Sequence, residues 1–186
     1  MRTVIYSMGV SLDGFIADRD GQLDWGVPDD ELMQFHNEQT REIGALACGR
    51  GLYQAMLYWE TPERAEWGPL EREFARIWKA IPKIVFSTTL PSVQGHARLA
   101  QGSVADEIAE LTAEPDERVV SVGGAGFAAT LAGLDLIDEY PVFVSPVLLG
   151  GGTPLFPPLP KRIALELIET RTFSSRFVYS RYRRAR

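Results

Sequence analysis

The apolar run Thr3-Val-Ile-Tyr-Ser-Met-Gly-Val10 is rich in β-branched and large side chains, the pattern of a buried first strand. It closes at Ser11-Leu-Asp-Gly14, and periodicity is lost through residues 15–28, where glycines punctuate a long loop that holds Trp25. Such a loop reads either as a flap over a site or as a surface excursion pinned by its tryptophan. From Pro28 the period becomes helical, with Asp29, Asp30 and Glu31 where carboxylates favour the N-terminal dipole. At about 100° per residue Leu32, Phe35, Gln39 and Ile43 share a face with His36 beside it. Helix one is predicted to run to about Gly44. Glu31 lies on the edge of its apolar face and Asp30 nearly opposite, so Glu31 is the better placed carboxylate for a pocket.

Ala45-Leu-Ala-Cys48 predicts a short buried strand that turns at Gly49-Arg-Gly51 into a helix over Leu52–Leu57. Thr61–Ala80 reads as loop and helix, Lys83–Phe86 as a strand ending in Ser87-Thr-Thr89-Leu-Pro91, and Val104–Leu111 as an amphipathic helix. After a turn at Glu114–Glu117 comes Arg118-Val-Val-Ser-Val-Gly-Gly-Ala-Gly-Phe-Ala-Ala-Thr-Leu131, which is strand, glycine turn and helix. Alternating β and α elements predict an α/β fold with a mostly parallel central sheet and crossover helices. The pattern then changes. Glu139–Leu149 is a long apolar strand carrying Pro141 and Pro146, Gly150-Gly-Gly152 opens a loop, and Ile163–Thr170 with Phe173–Tyr182 forms a closing antiparallel pair.

With 186 residues, 45% hydrophobic, the chain fits one domain with a sizeable core. A net charge of −6 argues against a nucleic-acid or anionic-membrane surface, and the basic tail Arg181, Arg183, Arg184 and Arg186 reads as a solvated terminus. Cys48 is the only cysteine, which leaves no internal disulfide, no multi-cysteine zinc site and no zinc-deaminase signature. No metal is expected. Without an apolar run of about 18 residues the expected location is the cytoplasm.

The chemistry gathers at the two strand-glycine-helix turns. A turn without Cβ atoms lets a phosphate approach the backbone, and the first helical N–H groups point outward unbonded. The alternative is a plain connection whose glycines only permit close packing. Gly124-Ala-Gly-Phe-Ala-Ala129 also fits the dinucleotide fingerprint, but it lies late in the chain and lacks an acidic residue closing a following strand, which argues against an ordinary Rossmann domain. Arg50 adds a cation with a fork that suits phosphate. Ser87, Thr88 and Thr89 are donors for phosphate or ribose, or simply turn residues.

Taken in order, Ser11-Leu-Asp-Gly-Phe-Ile-Ala17, Gly49-Arg-Gly-Leu-Tyr53, Phe86-Ser-Thr-Thr-Leu90, Val122-Gly-Gly-Ala-Gly-Phe127, Asp138-Glu139 and Pro146-Val-Leu-Leu-Gly-Gly-Gly-Thr-Pro-Leu-Phe156 span nearly the whole chain. In that order it resembles the dihydrofolate reductase-like superfamily, nearest to stand-alone proteins similar to the reductase domain of the bifunctional riboflavin deaminase-reductase. The resemblance implies a three-layer sandwich and NADPH as cofactor. Gly49, Arg50, Ser87, Thr88 and Thr89 would hold the adenosine end and its 2′-phosphate, and Gly123, Gly124, Ala125, Gly126 and Phe127 the pyrophosphate. Met8, Gly9, Ile16 and Ala17 would border the nicotinamide. Many relatives carry arginine where this chain has Thr88, which leaves Arg50 as the main cation. Glu31, or Asp30 one residue away, occupies the place of the acid that interacts with the pterin. The implied activity is hydride transfer to a C=N or C=O bond of a small heterocycle; the rival is a nucleotide-binding protein without turnover. A homodimer is expected from family analogy and the apolar carboxyl-terminal strands.

Overall fold

The structure, a computed structural model, describes residues 1–185; Arg186 of the basic tail lies outside the described residues. In chain order the strands are β1 (Val4–Tyr6), β2 (Met8–Ser11), β3 (Phe15–Ala17), β4 (Ile43–Gly49), β5 (Lys83–Phe86), β6 (Ala97–Leu99), β7 (Val119–Gly123), β8 (Glu139–Ser145), β9 (Thr153–Pro154), β10 (Leu165–Thr172) and β11 (Val178–Arg184). The helices are α1 (Asp30–Arg41), α2 (Arg50–Met56), α3 (Pro69–Ala80), α4 (Val104–Ala113) and α5 (Ala125–Gly133). The main sheet runs β10-β11-β8-β1-β7-β4-β5-β6, with β2 extending the pairing to β8. Every pair from β8 to β6 is parallel; β11 and β10 close the sheet antiparallel.

Two-faced burial explains the near-continuous apolar strands. Ala45, Ala47 and Ile84 pack with Ile108 and Leu111 of α4 and Ala128 and Leu131 of α5. Their neighbours Leu46, Cys48 and Val85 turn to the other face, against Tyr53 of α2 and Trp78 of α3. On that same side α1 lies beside α3 and sets Leu32 and Phe35 against Phe143 and Tyr179. The result is the expected mostly parallel α/β sandwich with a closing antiparallel pair. Among the described residues no helix is long and apolar enough to cross a membrane.

Several boundaries differ from the sequence expectation, each for a local reason. The first strand is interrupted at Ser7, across from Pro141 in the shared register, and proline has no N–H for a ladder. Helix one stops at Arg41 because Ile43 and Gly44 join β4. The strand expected to reach Leu149 ends at Ser145, before Pro146. β6 and the small antiparallel pair β3-β9 were not expected; at three and two residues they are too short for a readable pattern.

Candidate active site

The register sets Cys48 of β4 beside Gly123 of β7, so the glycine turns that follow the two strands emerge side by side. Gly124 takes φ +94°, a conformation that side-chain-bearing residues rarely adopt, and serves as the N-cap of α5 with no side chain to bond its first amides. Space is not the constraint there, since a Cβ on Gly124 would sit 3.8 Å from both Gly49 N and Leu52 Cβ. A Cβ on Gly123 would overlap the Leu52 side chain, so that glycine serves packing, while one on Gly126 would meet nothing within 4 Å. Close packing therefore accounts for Gly123, whereas the turn leaves open space over Gly126. Phe127 stacks on Phe86 at 4.6 Å between ring centroids and ties α5 to the end of β5.

Beside this turn lies a cleft of about 550 Å³ whose lining includes Arg50, Phe86, Ser87, Thr88, Thr89 and Gly102. Arg50 Nη1 donates to Thr89 Oγ1 at 2.9 Å, and among the described residues its exposed guanidinium faces no carboxylate. The Ser87 hydroxyl accepts from the amides of Thr89 (3.2 Å) and Leu90 (3.1 Å), so it shapes the turn; Thr88 is exposed without a side-chain partner among the described residues. A larger cavity of about 700 Å³, against α3 and lined by Glu63, Trp67, Arg72 and Arg76, holds none of the residues expected at the site.

The far wall of the cleft depends on Glu107, which helical periodicity alone leaves as an ordinary helix charge. Glu107 is buried and accepts from Arg98 Nη2 at 2.6 Å and from the amides of Gln101 and Gly102 at 2.7 and 3.1 Å. The Arg98 bond, then the two loop amides, push its carboxyl down to about 2 against the opposing effect of burial. Because the folded pKa lies below the ordinary glutamate value, this stabilisation is present above that value and is lost as pH falls through about 2. Glu107→Gln is expected to cost about 1–2 kcal/mol at pH 7, the lower part of the range because Arg98 is half exposed. The gap from wild type should close below pH 2 in urea unfolding; a pH-independent gap would assign the loss to packing.

On the other side of the sheet centre, the loop after β2 is fastened rather than free. Asp13 accepts from the Ser11 hydroxyl at 2.7 Å and from the amides of Leu149 and Gly150 at 3.1 and 2.7 Å, and these bonds, the hydroxyl foremost, lower its pKa. Arg19 Nη2 donates to Gly150 O at 2.6 Å, and β3 pairs with β9. Trp25, the pin in the surface-excursion reading, bonds only within the loop, from Nε1 to Gln22 O at 3.1 Å. Of the residues expected at the nicotinamide, Met8 and Ile16 are half-buried, Ala17 is buried, and Gly9 is exposed although it lies within β2.

The family model described as RibD C-terminal domain matches residues 2–179. The chain belongs to the RibD C-terminal domain family. It is 32% identical over 174 residues to an uncharacterized Bacillus subtilis protein, YyaP, covering 94% of this chain and 90% of that one. A putative riboflavin biosynthesis protein from Shewanella superposes with a TM-score of 0.79 at 28% identity, over 99% of both chains. Dihydrofolate reductase from Enterococcus faecalis, solved with NADP(H), superposes with a TM-score of 0.65 over 99% of this chain and 97% of that one; at 20% identity this likeness concerns the fold, which is dihydrofolate reductase-like.

In this RibD C-terminal domain the two helix-one acids meet different surroundings. Glu31 Oε2 accepts from the Ser174 hydroxyl at 2.5 Å and the Ser174 amide at 2.9 Å, in the turn between β10 and β11, and Oε1 accepts from Arg171 at 3.4 Å. Those bonds, that of the Ser174 hydroxyl first, lower its pKa, so at neutral pH Glu31 is an ionised acceptor and not a stored proton. Asp29 caps the helix by accepting from Leu32 N at 2.9 Å, and Asp30 is exposed without a side-chain partner among the described residues. The wheel misses Ser174 because a partner 143 positions away leaves no trace in a local pattern.

Proposed function

We propose that this chain is an NADPH-dependent reductase that reduces a C=N or C=O bond of a small pteridine- or pyrimidine-like heterocycle, with 5-amino-6-(5-phosphoribosylamino)uracil as one candidate. The observation that carries the reading is Arg50, a guanidinium without a carboxylate partner among the described residues, in a hydroxyl-lined cleft beside two converging glycine turns. The residues present fit the dinucleotide: Gly124 is held at positive φ and the approach over Gly126 is open. The backbone of Gly123, Gly124, Ala125, Gly126 and Phe127 would hold the pyrophosphate. Arg50, Thr88 and Thr89, shaped by Gly49 and Ser87, would hold the adenosine end and its 2′-phosphate. Met8, Gly9, Ile16 and Ala17 would border the nicotinamide, and the fastened loop after β2 would keep water from it. NADPH, when bound, would supply the hydride.

Glu31 enters this reading as a fixed negative charge at the mouth of α1 and Asp30 as the carboxylate free to meet solvent or substrate. The whole chain would act as one domain in the cytoplasm. Exposed Leu165, Leu167 and Ile168 on the free edge strand β10 support a homodimer paired along that edge.

NADPH is expected to raise the melting temperature more than NADH does, and Arg50→Ala to erase the difference. A charge-assisted contact to an additional phosphate contributes about 1.5–3 kcal/mol when shielded. At this exposed position about 1–2 kcal/mol is expected, a five- to thirtyfold preference by titration. Equal affinities in the wild type would remove Arg50 from that role. Oxidation of NADPH with a pteridine or pyrimidine panel separates the reductase from a binding protein, which would show saturable affinity and no turnover.

A further inference from the structure

The end of the parallel sheet opposite the glycine turns carries a small hollow of about 280 Å³. It lies where α1 and α3 end and where β4 and β7 begin, the two strands being joined there by the pairing of Ile43 with Val119. The length of β4, Ile43–Gly49, separates it from the first glycine turn by roughly 20 Å at the usual strand rise, so it is no part of the candidate active site. Ile43 of β4, Ile77 of α3 and Ile81 just after α3 make an apolar floor, on which Ile43 and Ile77 are only half-buried. Arg41, Arg76 and Arg118, from three elements far apart in the chain, stand round it. Among the described residues no carboxylate lines the hollow.

Two of the three guanidiniums are already engaged. Arg41 Nη2 meets Glu73 Oε1 at 2.5 Å, and Arg118 holds Asp116 at 2.8 Å through Nη2 and at 3.1 Å through Nε. Glu42, exposed beside Arg118, acts on it through charge alone. Arg76 differs. Its nearest carboxylate oxygen, Glu73 Oε1, is 3.9 Å away and already accepts from Arg41, while Glu73 Oε2 accepts from Asn37 Nδ2 at 2.9 Å. Among the described residues Arg76 makes no side-chain hydrogen bond, and its side chain is 79% exposed. The helix dipole accounts for Arg41 and Lys79, in the last turns of α1 and α3, but Arg76 lies a turn earlier. An exposed arginine alone is an ordinary surface feature; this one adjoins isoleucines that solvent still reaches. In the larger cavity against α3, by contrast, Glu63 and Glu73 line the wall and Glu63 holds Arg72 at 2.5 Å, so the charge is cancelled in place.

We propose that this hollow binds a small monocarboxylate with a compact apolar body, an aryl or branched aliphatic acid: Arg76 takes the carboxylate and the isoleucine floor takes the body. A guanidinium fork matches a carboxylate in two parallel bonds. One uncommitted fork answers one negative charge, whereas a phosphate dianion calls for a second cation, and Arg41 and Arg118 are spoken for. The volume admits a ring-sized group and falls below the usual range for drug-sized ligands. The assignment does not depend on the reductase reading.

The test uses the full chain labelled at its isoleucine δ1 methyls and titrated at pH 7 and constant ionic strength with benzoate, acetate, benzamide and phenyl phosphate. Ile43→Val, Ile77→Val and Ile81→Val assign the three methyl signals. The expected result is a saturable shift of the Ile43 and Ile77 signals with benzoate. Acetate lacks the body and benzamide the charge, and each should bind about tenfold more weakly or worse. Arg76→Gln should lower benzoate affinity about tenfold without moving the melting temperature, because the side chain it replaces is exposed and makes no hydrogen bond among the described residues. Arg76→Lys, which keeps the charge without the fork, should fall between. No saturable shift, binding of acetate or benzamide as tight as that of benzoate, or undiminished affinity in Arg76→Gln overturns the proposal. Tighter binding of phenyl phosphate than of benzoate overturns the carboxylate assignment.

Discussion

Gly124→Val is expected to abolish NADPH binding and still yield a folded chain. The nearest atoms to a Cβ at this position are 3.8 Å away, an ordinary van der Waals contact, so the branch point itself does not force the fold apart. Its backbone at φ +94° would be strained by a β-branched residue, at a cost of about 1–3 kcal/mol that a domain with ~5–15 kcal/mol of stability can survive. Binding has no such reserve. A valine at the N-cap of α5 would either stand in the approach to the first amides or relax φ and re-aim them, and both remove the phosphate seat. A loss of at least a hundredfold, about 2.7 kcal/mol, is expected by titration, with a near-native circular dichroism spectrum. Unchanged affinity would take the pyrophosphate away from this turn. Gly123→Val should weaken the chain modestly, because its Cβ would push aside the end of the Leu52 side chain.

Gly152→Val is expected to be the most damaging single change to the fold around the site. A Cβ there would overlap the carbonyl oxygen of Ala17 and approach the Asp18 carbonyl carbon to 2.8 Å, and φ is +133°. Backbone atoms cannot swing aside as a side-chain end can, so the strands β3 and β9 must part or the 150–152 loop must rebuild. Overpacking with backbone strain should cost about 3 kcal/mol or more, which for a chain of this size lowers the melting temperature by ~6–12 °C. Limited proteolysis within residues 18–24 should accelerate in parallel, because the Arg19 bond to Gly150 and the pairing of β3 would be lost together. A melting temperature and cleavage rate like those of the wild type would show that the loop after β2 does not depend on this close approach.

The sequence by itself determined the parts that are encoded within a few residues. Apolar runs without alternation specify strands buried on both faces, as Ala45–Cys48, Lys83–Phe86 and Val119–Gly123 are. Helical spacing specifies α1 with Leu32 and Phe35 inward, and glycines after buried strands specify the two turns. Their order was enough to place the chain with the dihydrofolate reductase-like folds. Tertiary structure alone decided which distant positions meet. The pairing of Cys48 with Gly123 brings the two turns together, and the bonds from Ser174 tie Glu31 of α1 to the turn between β10 and β11. Glu107 becomes a buried keystone of the 98–102 segment. The physical reason is the same in each case: periodicity records which way a side chain faces its own element, whereas a hydrogen bond across many intervening residues depends on registers that the whole folded chain sets at once.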